Sequence, residues 1–310
     1  MIWHKSMQHL SWYLDPNPMD YDMKEEITEL AESFSSNKHY FLIAKSKGES
    51  VGCITFETRD KLARLGITMP GVPLNKRGTM IGNKLLNECI SILKSKSISV
   101  LNCTYKYRTK EEIQWHLDLV KSLGFVSQPE GTQLMRSVAE SNNTADDSSN
   151  QFKILHREDV SPQSLAELTY QSFLGTVQDR AIHENTMPMT LDGILQSHNR
   201  IASNSIFFSP ANLWYIAQVD DDLAGVLIGG DIGKRNDYRI GIIGELCVSP
   251  SFRRRGIASK LISKFLSDSQ KMNFDYVFVG TPSRNIPGIR LYEKHGFTPT
   301  NYTINLSLAL

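Results

Sequence analysis

The second half of the chain carries the clearer pattern of apolar and polar positions. "FKILHRE" predicts a strand, and "SPQSLAELTYQSFLG" predicts a helix with Ser161 as N-cap and Pro162 in its first turn. "LDGILQSHNRIA" predicts a second helix. "LWYIAQV" and "LAGVLIGG" flank Asp220–Asp222 as the two arms of a hairpin. "IGIIGELCV" is a long apolar strand with a single acid, Glu245. After it, Ile257, Leu261, Ile262, Phe265 and Leu266 fall at helical spacing between Gly256 and about Lys271. "DYVFVG" predicts a buried strand. "NIPGIRLYEKHGF" predicts a short helix with Pro287 near its start and Gly296 at its end. Alternation from Tyr302 to Leu308 predicts a closing strand. The order β-α-α-β-β-β-α-β-α-β implies an α/β fold on a mixed central sheet flanked by helices.

The first half repeats this order more faintly. A helix near Met23–Phe34 precedes the strands "YFLIAKS", "SVGCITF" and "LARLGIT". A helix within "NKRGTMIGNKLLNECISILK", the strand "SVLNCTY", the helix "KEEIQWHLDLVKSLGF" and the strand "TQLMRSV" follow. Setting Gly124-Phe125 against Gly296-Phe297 brings the elements of the two halves into one sequence, which implies a duplicated domain. Between them "AESNNTADDSSN", Ala139–Asn150, has no large apolar residue and predicts a linker. The expected organisation is one domain over 1–138, a linker over 139–150 and a second domain over 151–310.

Composition narrows the function classes. The formal net charge is +1, so no global attraction to nucleic acid or an anionic membrane is expected, and any basic function must be local. Cys53, Cys89, Cys103 and Cys247 form no CxxC pair and fit no zinc spacing; they predict small core residues in a reducing compartment. His4 and His9 lack an acidic or cysteine partner, so no metal is expected. No apolar run approaches the length of a membrane span, and the first residues lack a signal-peptide core, so a cytoplasmic protein is expected.

The chemistry concentrates in "VSPSFRRRGIASKLI", Val248–Ile262. A helix start leaves backbone N–H groups unpaired and partly positive, which suits phosphate. Gly256 and Ala258 let an anion approach the backbone, and the arginines add charge. By itself a basic turn before a helix is also what a solvated surface offers. Further on, Asn285, Gly288, Leu291 and Tyr292 stand at offsets 0, +3, +6 and +7 ahead of Gly296-Phe297. The pair of motifs, V-x-P-x-x-R-x-x-G-x-A after a strand and N-x-x-small-x-x-L-Y-x-x-x-G-F on a helix, resembles the GNAT superfamily of acyl-CoA-dependent N-acyltransferases.

That resemblance implies a cofactor and roles. Coenzyme A, brought as acetyl-CoA, is expected in a cleft where the strand ending at Val248 parts from Tyr276–Gly280. Backbone groups of Leu246, Cys247 and Val248 would pair with the pantetheine arm. N–H groups of Arg254, Arg255, Gly256, Ile257, Ala258 and Ser259 would cradle the pyrophosphate, with Arg253 at the family's Gln/Arg position. Asn285 would contact the pantetheine side and Gly288 would leave room for it. Glu245 is the candidate base and Tyr292 the candidate acid for the departing thiolate. An N–H at the bulged strand would polarise the thioester carbonyl.

In the first half Met80 stands at the place of Gly256, Gly82 at that of Ala258 and Val120 at that of Tyr292, with no acid at the place of Glu245. The resemblance therefore implies a degenerate first copy and a catalytic second one. The expected reaction is acetyl transfer to a small-molecule amine or peptide acceptor, with no metal and as a monomer. A non-catalytic CoA-binding or regulatory protein is the alternative, and a nucleic-acid module built on Arg253–Arg255 a weaker one. Asp179, His183 and Glu184 are candidates for shaping the acceptor pocket.

Overall fold

The computed structural model describes residues 2–4, 39–47, 49–139, 152–177, 189–205, 207–235 and 237–310. The helix expected near Met23–Phe34, most of the 139–150 segment, and Asp179, His183 and Glu184 lie outside them. Among the described residues the strands are β1 (Ile2–His4), β2 (His39–Ser46), β3 (Glu49–Arg59), β4 (Leu62–Leu65), β5 (Val100–Tyr107), β6 (Val126–Ser127), β7 (Gly131–Ser137), β8 (Lys153–Leu155), β9 (Trp214–Val219), β10 (Asp222–Arg235), β11 (Tyr238–Val248), β12 (Tyr276–Pro282) and β13 (Thr298–Ala309). The helices are α1 (Ile81–Ser95), α2 (Lys110–Ser122), α3 (Pro162–Phe173), α4 (Leu191–Ala202), α5 (Ile257–Lys271) and α6 (Ile286–Lys294).

The chain divides into two compact units, Met1–Glu130 with Tyr302–Leu310, and Gly131–Asn301. In the first, β2, β3 and β4 form an antiparallel meander, and β4 meets β5 in parallel after the crossover through α1. Leu85, Leu86 and Leu93 of α1, Val120 of α2, and Phe56, Leu101 and Tyr105 of the strands fill one buried core. In the second unit, β8, β9, β10 and β11 are antiparallel neighbours and β11 meets β12 in parallel after the crossover through α5. Its sheet is packed on both faces. One face carries Leu261, Ile262, Phe265 and Leu266 of α5 and Tyr292 of α6; the other carries Leu165 and Leu168 of α3 and Ile201 of α4 around Trp214 and Ile228. The helix starts follow the sequence: Ser161 Oγ accepts from the Ser164 N–H at 3.0 Å, and Thr190 Oγ1 accepts from the Gly193 N–H at 3.1 Å.

The last strand of each half is exchanged. β7, expected to close the first half, runs antiparallel to β12 from Ser137↔Tyr276 to Gly131↔Pro282. β13, expected to close the second, runs antiparallel to β5 from Tyr302↔Tyr107 to Ala309↔Val100. The units therefore part at Glu130/Gly131 and Asn301/Tyr302, and the polar 139–150 stretch falls within the second unit. Every second residue of β7 is buried, whereas in β13 only Leu306 is, and the pattern of a strand's own residues does not say which sheet it joins.

Candidate active site

The site begins with a break in the pairing of a central sheet. β11 and β12 pair only from Ile240↔Tyr276 to Ile243↔Val279, although β11 continues to Val248 and β12 to Pro282. On its other side β11 stays paired to β10, but the register shifts: Ile228 faces Glu245 while Gly229 faces Ile243, so Gly244 is an extra residue, a β-bulge. The bulge resets the alternation. Ile243 and Leu246 now share the α5 face, and Glu245 and Cys247 share the α3–α4 face. Gly244 and Gly280, on either side of the split, are both exposed, and a Cβ on Gly280 would meet no described atom beyond its chain neighbours within 4 Å. From Gly244 to Val248, β11 thus has an edge without a strand partner among the described residues, the kind of edge an extended ligand can join.

Past this edge the chain turns into α5. Arg254 (φ 65°) and Gly256 (φ 80°) both adopt left-handed backbone, and Gly256 is an N-cap whose helix receives no side-chain cap. The first intrahelical acceptor is the Gly256 carbonyl, reached by Lys260 N–H at 3.0 Å. The N–H groups of Ile257, Ala258 and Ser259 therefore point out of the helix start unclaimed by it. Among the described residues, no atom beyond its chain neighbours lies within 4 Å of a Cβ placed on Gly256. Arg254 is exposed there. The other two arginines are engaged. Arg253 donates from Nε to the Val248 carbonyl (3.1 Å) and from Nη2 to the Ser172 carbonyl (2.7 Å), fastening the end of β11 to the end of α3. Arg255 donates to the Ser251 carbonyl at 3.1 Å and lies over the Phe252 ring. Open N–H groups, a left-handed glycine with free space and local positive charge suit a diphosphate, and the unpaired edge suits its extended amide arm.

Glu245 projects to the α3–α4 face. Thr169 of α3 donates from Oγ1 to Glu245 Oε1 at 2.7 Å, and His198 Nε2 of α4 lies 3.3 Å from Oε1 and 3.2 Å from Oε2. The His198 side chain is 3 % exposed and that of Glu245 15 %. Trp214 meets the His198 ring edge-on at a centroid distance of 5.7 Å. Cys247, two residues on, is buried among the same side chains, and burial pushes its thiol up to about 12, so it is an inert core residue at neutral pH. The sequence reading singled out neither Thr169 nor His198. His198 did leave a signal, a histidine on the apolar stripe of α4 in step with Ile194 and Ile201.

On the other face α6 presents the second motif. Asn285 caps the helix, accepting from the Gly288 N–H at 3.2 Å and donating to Thr281 Oγ1 at 2.9 Å. A Cβ on Gly288 would come within 2.3 Å of the Asn285 amide, so the small residue makes room for its own cap. Tyr292 packs edge-on against Phe297 in the α5 face, with no hydrogen-bond partner for its hydroxyl among the described residues. Burial raises its hydroxyl well above the usual phenol range, so it stays protonated at every pH at which the fold is expected to persist. His295, at the end of α6, meets Ser259 in the first turn of α5 through Nε2···Oγ at 2.7 Å. Burial and the neighbouring Arg136 and Lys294 lower its ring to about 4, so it is neutral at pH 7.

The first unit differs at each point. Beyond Leu65 the chain does not run on as an edge; it folds back across the place of the split. Thr68 N–H donates to the Thr104 carbonyl of β5 (3.1 Å), Tyr105 Oη of β5 to the Met69 carbonyl (2.9 Å), and His116 Nε2 of α2 to the Pro70 carbonyl (3.2 Å). Gly71 and Cys53 then exchange two backbone hydrogen bonds at 2.8 Å each. Met69 and Val72 are buried in the core. Counted back from Gly124-Phe125, His116 stands where Gly288 stands in the second unit, and Val120, fully buried, where Tyr292 does.

Known proteins match this architecture. A GCN5-related N-acetyltransferase from Sphaerobacter thermophilus superposes with a TM-score of 0.60 at 15% identity, over 99% of this chain and 95% of that one. A tandem GNAT protein from the clavulanic acid biosynthesis pathway superposes with a TM-score of 0.59 at 15% identity, over 97% of this chain and 91% of that one. At such identity the likeness is one of fold. Residues 180–297 match the model of the acetyltransferase (GNAT) family. In sequence, N-alpha-acetyltransferase 30 of Dictyostelium discoideum is 39% identical over 77 residues, 24% of this chain and 42% of that protein. Phosphinothricin N-acetyltransferase of Streptomyces viridochromogenes is 29% identical over 85 residues, 27% of this chain and 46% of that protein. The chain thus spans less than half the length of each of these two relatives.

Proposed function

We propose that the Gly131–Asn301 unit is an N-acetyltransferase that moves an acetyl group from acetyl-CoA to a primary amine by direct attack. The observation that carries this reading is the split between β11 and β12, which ends in the open start of α5 on one side and at Glu245 on the other. Acetyl-CoA supplies the activated thioester. The protein's residues bind, aim and handle protons. Backbone groups of Leu246–Val248 pair with the pantetheine amides, and N–H groups from Arg254 to Ser259 take the pyrophosphate. Asn285 sits beside the arm as the cap that fixes α6. Arg253 acts at one remove, holding Val248 in place.

An alkylammonium ion with a pKa near 10 must lose a proton before it attacks, and Glu245 is the group placed to accept it. As the C–N bond forms and the C–S bond breaks, an N–H at the Gly244 bulge stabilises the carbonyl oxygen, and Tyr292 supplies the proton to the sulfur. The first unit is a degenerate copy, since its own chain occupies the equivalent split. Incubation with acetyl-CoA and a panel of primary amines and peptides with free N-termini, followed by release of free thiol, tests the reading. Amine-dependent thiol release is expected; none with any amine would contradict it.

A further inference from the structure

The buried histidine beside Glu245 does more than fill space. An ionised carboxylate only accepts hydrogen bonds, so both close approaches of His198 Nε2 are made by its N–H as a fork across the two oxygens. Thr169 takes a second lone pair of Oε1. Oε1 is then fully claimed, and Oε2 keeps one lone pair free. The ring itself is fixed: His198 lies on α4 at 2 % exposure, edge-on to Trp214, whose Nε1–H is tied to Ser209 Oγ at 2.8 Å. The opposite nitrogen, Nδ1, is buried with no hydrogen-bond partner among the described residues. A buried imidazole with one nitrogen unpaired costs stability.

We propose that His198 is a positioning residue, which with Thr169 holds the Glu245 carboxylate so that only Oε2 is free to take the proton of the incoming amine. The assignment rests on the reading of Glu245 as the base. In the step, the amine N–H bond breaks and an Oε2–H bond forms; the carboxylate becomes neutral and the amine is freed to attack. The proton leaves again from Glu245, which is partly exposed. It does not pass through His198, since no described group stands ready to receive it from Nδ1. Among the described residues, Arg157 lies over the Trp214 ring and donates to the Ala202 carbonyl at the end of α4, His156 Nδ1 lies 3.1 Å from the Trp214 carbonyl, and Cys247 is a protonated thiol. Loss of the fork therefore frees the carboxylate to turn away from the amine.

The test compares wild type with His198→Leu, His198→Gln and Thr169→Val, using acetyl-CoA and the primary amine that wild type acetylates fastest. In His198→Leu the turnover rate falls at least tenfold and KM for acetyl-CoA is unchanged. His198→Gln, whose amide can still donate to the carboxylate, recovers most of the rate. Thr169→Val, which leaves the fork in place, loses less than His198→Leu. An unchanged turnover rate in His198→Leu, or equal loss in the Leu and Gln variants, overturns the proposal while the transferase reading stands. If Glu245→Gln keeps the wild-type rate, or wild type transfers no acetyl group at all, the reading of the site fails and the proposal falls with it.

Discussion

From β2 to α2 in the first unit and from β9 to α6 in the second, the described elements follow the same order, yet one unit leaves its central sheet split and the other fills the split with its own backbone. In the second unit the pairing of β11 and β12 ends at Ile243 and Val279, and a single bulged glycine carries β11 on as a free edge. In the first, the segment after β4 crosses the gap and is tied down at Thr68, Met69, Pro70 and Gly71. Those bonds satisfy backbone groups that a free edge would leave to a ligand. The difference teaches that the fold alone does not make the site. What separates the units is whether the polar groups at the split are spent internally or left open, together with two small residues, Gly256 and Gly288, set against Met80 and His116.

The largest effect that would sharpen this contrast falls on Glu245. Glu245→Gln should lower the rate of amine acetylation by about 10²- to 10⁴-fold, the usual worth of a positioned acid or base, while acetyl-CoA binding stays within twofold. Steady-state kinetics beside calorimetry separates the two. Tyr292→Phe should cost less, about 10-fold to 100-fold in turnover with the fold intact, because the lost hydroxyl makes no hydrogen bond among the described residues. An unchanged rate would reduce Tyr292 to a core aromatic.

The next effect lies in stability and only in the first unit. Tyr105→Phe leaves the buried Met69 carbonyl without its donor and should destabilise that unit by about 1–3 kcal/mol, with the acetylation rate unchanged. Thermal unfolding together with an assay reads both, and a fall in rate would mean the filled split serves catalysis after all.

The smallest difference between the units concerns pH, where they should behave alike. His116 and His295 are each lowered to about 4, chiefly by burial, with Arg77 adding to the first and Arg136 and Lys294 to the second. Unfolded histidine titrates near 6.5, so between that pH and about 4 the unfolded chain binds the protons the folded one refuses. Both units should be at full stability above about pH 6.5 and weaken steadily as pH falls toward 4. Denaturant midpoints that do not fall over that range would contradict the burial of both rings.

Much of this was legible in the residues, because each element after residue 160 rests on a local signal: Ser161 and Pro162 for α3, helical spacing from Ile257 for α5, Gly296 for the end of α6. The open helix start was legible too, since Gly256 and the arginines stand together in the chain. Partners across the fold were not. The strand exchange escaped because the residues of β7 and β13 do not say which sheet each strand joins. The filling of the first split escaped because "GITMPG" carries no mark of what Tyr105 and His116 will bind. Thr169 and His198 escaped because they lie far in sequence from Glu245 and belong to no motif; only tertiary packing brings them to it. The arginines show the reverse case: the charge run was plain, but two of the three spend their donors on carbonyls.

The central claim is that one unit holds a cofactor cleft and the other has closed it. Calorimetric titration of acetyl-CoA into wild type, Gly256→Glu and Met80→Glu tests it most directly. A Cβ on Gly256 meets no described atom beyond its chain neighbours within 4 Å, so a glutamate there would bring like charge to the place proposed for the diphosphate, on a backbone it adopts at a cost of about 1–2 kcal/mol. The account predicts one site per chain, weakened at least 100-fold by Gly256→Glu and untouched by Met80→Glu. Two sites in the wild type, or a loss of binding with Met80→Glu and not with Gly256→Glu, would contradict it.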